Sequence, residues 1–156
     1  MLRIRAATVD DVPLLKTMIV EFATFERLAH LVHVTEEILA RDGFGEKPMF
    51  RVLIPEWDGE VAGYEFFYDF YSSFEGPGLF IEDIFVREKF RGKGIGKALM
   101  AEAAVIALRE GHWAMRWEVL DWNQPAIDFY RSLGAAPLEQ WKTFRIGGAA
   151  LEALAK

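Results

Sequence analysis

The spacing of apolar and polar positions along the chain switches between helical and strand periods. Apolar residues three or four positions apart predict helices over residues 8–28, 35–43, 94–110 and 124–133. Runs rich in β-branched and aromatic residues predict strands over 3–6, 50–57, 61–71, 79–86, 114–119 and 141–146. Asp58-Gly59 is a strong hairpin signal between two of these strands. The order predicts an α/β fold with a mixed sheet, antiparallel at first and then crossing over through helices.

Composition narrows the class of protein. With 156 residues and 52% hydrophobic content, the chain is expected to form one domain, residues 1–156. It has no cysteine, which excludes disulfides, thiolate zinc sites and a cysteine nucleophile. No apolar leader or 18-residue apolar run is present, so we expect a cytoplasmic protein with no membrane partner. A net charge of −6 argues against nucleic acid as a partner.

Residues 81–97 join a strand to a helix through closely spaced glycines and contain more candidate functional residues than any other segment. Glu82 and Asp83 lie on the strand and point to opposite faces unless a bulge intervenes. The turn has glycine at positions 92, 94 and 96, immediately before the helix. Unpaired N–H groups and the positive end of the helix dipole make such a turn an anion site.

Charge favours a polyphosphate ligand at this turn. Although the whole chain is acidic, residues 87–97 have a single acidic residue, Glu88, against five basic ones, namely Arg87, Lys89, Arg91, Lys93 and Lys97. The spacing does not match a nucleotide P-loop or a Rossmann turn. The alternative is a tight turn that needs glycine only for its backbone angles.

A second informative segment covers residues 120–135. Asn123 is a natural N-cap, and Pro125 occupies an early helical position where its missing N–H costs nothing. Tyr130 follows two turns along the predicted helix. Taken alone, this pattern is also that of a capped helix with a packed tyrosine.

The two segments together resemble the motifs of the GNAT superfamily of N-acetyltransferases. Arg-x-x-Gly-x-Gly at 91–96 resembles the loop that binds the pyrophosphate of acyl-CoA, and residues 123–135 resemble the second motif. Further matches make the chain similar to the spermidine/spermine N-acetyltransferase branch, closest to the thialysine type; they lie at 4–8, 25–26, 41–46, 82–84, 119–124 and Trp141. The resemblance implies the GNAT fold, a twisted sheet flanked by helices, whose strands at 79–86 and 114–119 splay apart.

The resemblance also implies acetyl-CoA as co-substrate. The pantetheine arm would lie in the splay and the pyrophosphate on the glycine loop. The residues implied for acetyl-CoA are Ile84, Phe85, Val86, Arg91, Gly92, Lys93, Gly94, Ile95, Gly96, Lys97, Asn123 and Ala126.

Acetyl transfer to an amine needs a base and an acid. An aliphatic amine with a pKa near ~10.4 is protonated at neutral pH and must lose a proton before it attacks a thioester. The resemblance gives Glu82 the base role, directly or through water, and Tyr130 the acid role toward the leaving thiolate. The residues implied for amine binding are Phe25, Glu26, Glu82, Asp83, Glu139 and Trp141, carboxylates and aromatics that suit an ammonium group.

The substrate class stays open at this point. Residues 71–74 read Tyr-Ser-Ser-Phe, without the acidic residue that polyamine acetyltransferases of the branch carry there. This favours a thialysine-like amino acid or a short diamine over spermidine or spermine. The alternatives are a protein lysine or N-terminal acetyltransferase and a non-catalytic acyl-CoA-binding module. The resemblance implies a homodimer, with the strand at 141–146 as a shared edge.

Histidine offers little metal chemistry. His30 and His33 are three residues apart, and His112 follows a predicted helix end, where we expect it at the surface. Three histidines without cysteines are a poor ligand set, so no metal site is expected.

Overall fold

The computed structural model describes all 156 residues and contains a six-stranded mixed sheet. Along the sheet the order is β1, β2, β4, β5, β6, and β3 pairs with β2. Only β5 and β6 are parallel; the other pairs are antiparallel, which confirms the predicted fold class. The strands are β1 (Leu2–Ala6), β2 (Arg51–Trp57), β3 (Glu60–Val61), β4 (Gly63–Ser72), β5 (Gly76–Val86) and β6 (Met115–Trp117).

The hairpin between β2 and β3 forms where the sequence predicts it. Asp58 and Gly59 both have positive φ, at 51° and 86°. Two successive residues with positive φ make the two-residue turn whose twist matches that of paired strands. This turn sets the register in which Trp57 faces Glu60.

Five helices form, and side-chain caps fix where two of them begin. The Thr35 hydroxyl accepts a hydrogen bond from the Ile38 N–H at 3.2 Å, and the Asn123 side chain accepts from the Ala126 N–H at 3.3 Å. Both caps confirm the predicted starts. The helices are α1 (Val12–Phe25), α2 (Glu36–Phe44), α3 (Ile95–Arg109), α4 (Gln124–Ser132) and α5 (Gly148–Leu154).

Helix α1 ends three residues before the predicted Leu28, and the reason is local. The Leu28 N–H bonds the Ala23 carbonyl at 2.8 Å, and the Arg27 N–H bonds the Thr24 carbonyl at 3.1 Å. With Arg27 at φ +62°, these bonds form a Schellman motif. Glycine usually occupies the left-handed position, so an arginine there gave no stop signal in the sequence.

The apolar side chains of the sheet lie on two faces. On one face Tyr64 and Phe85 pack against the α1 and α2 layer, which contributes Leu15 and Met18 of α1. On the other face Phe67, Leu79 and Ile81 pack against α3, which contributes Ile95 and Leu99. Leu15, Met18, Leu79 and Leu99 are fully buried, which anchors both helix layers to the sheet.

Three of the strand predictions are wrong, at residues 141–146, at the start of β5 and at the end of β6. Residues 141–146 are not a strand: they pair with no other strand, and Trp141 and Phe144 are 69% and 92% exposed. Strand composition alone does not produce a strand unless the run also pairs with another strand. β5 begins at Gly76, three residues before the predicted start at residue 79, and β6 is shorter than the predicted 114–119. Helix α5 was not predicted at all.

The chain divides into two compact units, Met1–Glu118 and Val119–Lys156. The first contains the whole sheet with α1 to α3, and the second contains α4 and α5. The single domain over 1–156 stays a prediction. None of the helices is long and apolar enough to cross a membrane.

Candidate active site

A β-bulge in β5 brings Glu82 and Asp83 to the same face of the sheet. Asp83 lies opposite Phe66 on β4, whereas Ile81 lies opposite Phe67, so Glu82 is an extra residue without a partner of its own. An extra residue shifts the alternation of side chains by one position. The bulge that the sequence left open is therefore present, and both carboxylates reach tyrosines of β4.

Each carboxylate accepts one hydrogen bond from β4. The Tyr64 hydroxyl donates to Asp83 Oδ2 at 2.9 Å, and the Tyr68 hydroxyl donates to Glu82 Oε2 at 3.1 Å. Asp83 is largely buried, whereas Glu82 is exposed. The sequence analysis missed both tyrosines. Their signal was the alternation Tyr-x-Phe-x-Tyr over 64–68, but only the bulge makes these hydroxyls meet the two carboxylates.

Burial and like charge perturb the proton equilibria at this site. Burial raises the pKa of Asp83 to about 7, the hydrogen bond from Tyr64 opposes that rise, and the charges of Glu82 and Glu26 add to it. Burial and the adjacent Glu82 raise the pKa of Tyr68 to about 12. Asp83 therefore changes charge near neutral pH, and the tyrosines remain protonated donors.

Glu26 belongs to the same electrostatic group. It is the cap residue of α1, held by the Schellman motif described above, with its N–H bonded to the Phe22 carbonyl at 3.0 Å. Burial raises the pKa of Glu26 above its usual value. Its charge also raises the pKa of Asp83 and of Tyr64. The charges of Glu26, at the end of α1, and of Glu82, at the bulge of β5, thus both act on Asp83.

These three carboxylates have no cationic partner. Neither Glu26, Glu82 nor Asp83 makes an ion pair with a lysine, arginine or histidine. Other carboxylates of this unit are paired, for example Asp11 and Glu56, which Arg5 bridges at 2.8 and 2.7 Å. Buried charges are usually paired, so an unpaired acidic group of this kind suits an incoming cation.

The glycine loop has the geometry of an anion site. Gly92 and Gly94 have φ of +75° and +77°, a conformation that disfavours side chains. The first hydrogen bond of α3 runs from the Ala98 N–H to the Gly94 carbonyl at 3.0 Å. The N–H groups of Ile95, Gly96 and Lys97 precede it, and the first turn of a helix offers them no acceptor. The buried Ile95 fixes this turn to the core.

Two of the five basic residues near the loop are already neutralised. Arg87 makes a bidentate pair with Glu21 at 2.8 Å for both bonds, and Lys89 pairs with Glu60. The remaining three, Arg91, Lys93 and Lys97, make no ion pair and are exposed. Three basic groups near the loop are thus without an acidic partner, rather than five.

Arg91 connects the loop to the predicted amine-binding residues. Its Nε donates to the Val86 carbonyl at 3.0 Å, and its guanidinium lies 4.9 Å from the centroid of the Phe25 ring. Phe25 immediately precedes Glu26. The end of α1, with its predicted amine-binding residues, therefore lies next to the glycine loop.

The pairing of β5 with β6 ends beside the bulge, and the splay of these strands stays a prediction. β5 and β6 pair only from Leu79 with Met115 to Ile81 with Trp117. β5 continues to Val86, but beyond Ile81 no strand of the sheet pairs with that edge. The edge of β5 is therefore open from the carboxylates onward, because β6 ends at Trp117.

Backbone groups of β5 point into this open edge. The Arg87 N–H bonds the Ala62 carbonyl at 2.8 Å, on the β4 side. Because successive residues of a strand point their backbone groups to opposite edges, those of Phe85 also face β4. Those of Ile84 and Val86 face the open edge. Phe85 directs its side chain into the core, 5.6 Å from the ring of Phe22 between centroids.

The remaining predicted site residues belong to the second unit. Tyr130 is half-buried on α4, its ring 5.3 Å from that of Phe129, and Gly134 at φ +89° ends the helix. Asn123 and Ala126 form the cap of the same helix. Glu139 and Trp141 are exposed in the irregular segment that follows. Their placement in the site stays a prediction.

One cluster of potential metal ligands includes a histidine, and an arginine side chain already binds its two carboxylates. Potential ligand atoms of Asp69, Glu110 and His112 lie within 4.8 Å of one another. Arg51, however, binds Glu110 through two bonds of 2.7 and 2.8 Å and Asp69 at 3.0 Å. The His112 side chain is only 5% exposed, so its predicted surface position is wrong. The backbone N–H of His112 bonds the carbonyl of Ala107 in α3.

A strand–glycine loop–helix unit with a basic loop beside an open strand edge is the arrangement expected of an acyl-CoA-dependent transferase. A model of the acetyltransferase (GNAT) family matches residues 16–135, and the chain belongs to this family. It is 42% identical over 164 residues to thialysine N-epsilon-acetyltransferase of Mus musculus, covering 98% of this chain and 96% of that protein. The chain is therefore an acetyltransferase.

Two further relatives are informative. L-ornithine N5-acetyltransferase of Arabidopsis thaliana is 34% identical over 200 residues, covering 99% of this chain and 88% of that protein. The solved structure of an integron cassette protein of V. cholerae has a TM-score of 0.82 at 24% identity, covering 99% and 98% of the two chains. The latter supports the fold alone.

Proposed function

We propose that this acetyltransferase transfers the acetyl group of acetyl-CoA to the primary amine of a small molecule, a thialysine-like amino acid or a short diamine. The observation that carries the proposal is the group of three carboxylates, Glu26, Glu82 and Asp83, without a basic partner. An ammonium group is the cation that such a group attracts. The names of the relatives from mouse and Arabidopsis, thialysine and ornithine acetyltransferases, support an amino-acid amine.

The residues present fit acetyl-CoA. The unsatisfied N–H groups at the start of α3 and the side chains of Arg91, Lys93 and Lys97 suit a pyrophosphate. The backbone groups of Ile84 and the N–H of Val86, at the open edge of β5, suit the amide groups of a pantetheine arm. Acetyl-CoA supplies an activated thioester whose acetyl group the amine can accept.

Two residues have the chemistry to move protons in this transfer. Glu82 is exposed beside the splay, and an ionised carboxylate there takes the proton of the incoming ammonium, directly or through water. Tyr130 is proposed, from the family resemblance, to donate its hydroxyl proton to the departing thiolate. Asp83 and Glu26 hold the ammonium group by charge.

The proposal is tested by a CoA-release screen. Thialysine, ornithine, putrescine, spermidine and a lysine peptide are assayed at equal concentration with acetyl-CoA, and products are identified by mass spectrometry. We expect the amino acids or putrescine to have the highest kcat/KM. Spermidine as best substrate would favour the polyamine alternative, and a peptide would favour a protein acetyltransferase. Tight acetyl-CoA binding without turnover on any amine would identify a non-catalytic module.

We further propose a homodimer in the cytoplasm. Trp141, Phe144 and Ile146 are 69%, 92% and 52% exposed, and such apolar side chains close together in sequence are typical of an association surface. Light scattering at micromolar concentration should give twice the monomer mass. Trp141→Ser with Phe144→Ser should give the monomer mass, and cell fractionation tests the location.

A further inference from the structure

Asp83 and Glu82, the two carboxylates at the bulge, each accept a hydrogen bond from a tyrosine of β4. The two tyrosines differ in burial. Tyr64 is fully buried and bonds Asp83 at 2.9 Å, whereas Tyr68 is half-buried and bonds Glu82 at 3.1 Å. In each case the second carboxylate oxygen has no protein donor. One oxygen of each group is thus fixed and the other is available.

The bulge determines this pairing. Without it, residues 82 and 83 would point to opposite faces, and only one of them could meet a tyrosine of β4. Tyr64 and Tyr68 are four residues apart on β4, so both face the same side of the sheet. The aromatic rings also pack: Tyr64 lies 6.0 Å from Phe85, and Tyr68 stacks on Phe80 at 5.2 Å between centroids. The hydroxyl positions are therefore fixed by packing.

We propose that Tyr64 and Tyr68 are positioning residues of the active site, Tyr64 holding Asp83 for the ammonium group and Tyr68 aiming the free oxygen of Glu82 at the amine proton. This inference rests on the proposed function. Neither tyrosine touches the transferred group; each acts through the carboxylate that it holds.

The charges around Asp83 make the role of Tyr64 measurable. Tyr64 donates from β4, Glu82 lies beside it on β5, and Glu26 faces it from the end of α1. Glu118, after β6, acts on Tyr68. No basic group is among them, so the hydrogen bond from Tyr64 is the contact that favours the ionised form of Asp83 against burial and like charge.

The test compares Tyr64→Phe, Tyr68→Phe and a matched control, Tyr71→Phe. Tyr71 is on the same strand but 77% exposed. The loss of the hydroxyl at 64 should raise the midpoint of Asp83 titration, followed by carbon-13 NMR of the carboxyl group in the full chain without ligands, by about one pH unit. It should also raise the amine KM at pH 6.5 more than at pH 8.5.

The hydroxyl at 68 should affect a different parameter. Tyr68→Phe should lower kcat roughly tenfold with little change in amine KM, because Glu82 keeps its charge but loses its orientation. Tyr71→Phe should leave all parameters unchanged. An unshifted Asp83 midpoint in Tyr64→Phe, or wild-type kcat in Tyr68→Phe, would overturn the corresponding half of the proposal.

The readouts separate this inference from the proposed function. If the wild-type protein acetylates no amine, the proposed function fails. The NMR titration of Asp83 still decides whether Tyr64 holds it, and the corresponding titration of Glu82 decides the same for Tyr68. Thermal unfolding of each variant confirms that the rings, which Phe retains, still pack.

Discussion

Glu65 should make the protein less stable as pH rises, and the effect should disappear when its charge is removed. The side chain is fully buried on β4, between Leu53 and Ile84 of the neighbouring strands, and neither carboxylate oxygen has a hydrogen-bond partner. Burial, with a contribution from the charge of Glu102, raises its pKa from 4.5 to about 8.

The sign of the effect follows from proton binding. Between the two pKa values the folded chain keeps the proton that the unfolded chain loses, so rising pH favours unfolding. The contribution of protonated Glu65 to the free energy of unfolding is complete below pH 4.5 and is lost progressively up to about pH 8. Each pH unit in this window costs about 1.4 kcal/mol, which gives a loss on the order of 3 kcal/mol by pH 7.

Urea unfolding from pH 5 to pH 8 tests this account. Glu65→Gln has nearly the same shape and no charge, so it should match the wild type near pH 5 and exceed its free energy of unfolding by about 3 kcal/mol at pH 7. The contribution of Asp83 is common to both proteins and cancels. Glu102→Gln, an exposed change on α3, is the control and should move the curve little. A constant difference between Glu65→Gln and wild type across this range would refute the reasoning.

Three further predictions concern the site. Tyr130→Phe should lower turnover roughly 10²–10⁴-fold with unchanged acetyl-CoA affinity, and near-normal turnover would remove its role as the acid. Glu82→Gln should regain activity in part as pH approaches the amine pKa near ~10, measured as initial rates from pH 6.5 to 9.5; a flat deficit would argue against a base role. Gly94→Glu and Arg91→Glu should each weaken acetyl-CoA binding tenfold or more, about 1.4 kcal/mol, by calorimetric titration. Gly94→Ala controls for the positive φ at that position, and affinity as weak as in Gly94→Glu would assign the loss to backbone strain.

Local signals in the sequence were sufficient for much of the fold. The Asp58-Gly59 turn, the caps at Thr35 and Asn123 and the glycine loop depend on neighbours within a few residues, and all four form as predicted. A strand at 141–146 would have needed to pair with another strand, and composition does not specify such pairing. It was therefore predicted wrongly.

The chemistry of the site was less accessible from sequence. Glu82 and Asp83 could be found as a pair, but their common face depends on a bulge set by the register of β4 and β5. Tyr64 and Tyr68 became relevant only through that register. The number of unpaired basic residues near the glycine loop was also overestimated, because Glu21 and Glu60, which are distant in sequence, pair with Arg87 and Lys89.

The central claim is that unpaired carboxylates of this acetyltransferase receive the ammonium group of a small amine. The most direct test measures the amine KM and the acetyl-CoA KM of Glu26→Gln, with Glu46→Gln, an exposed loop glutamate, as the matched control. The account predicts an amine KM raised about tenfold in Glu26→Gln alone, the size of one partly buried charge contact, with the acetyl-CoA KM unchanged. An amine KM equal to that of the wild type would contradict it.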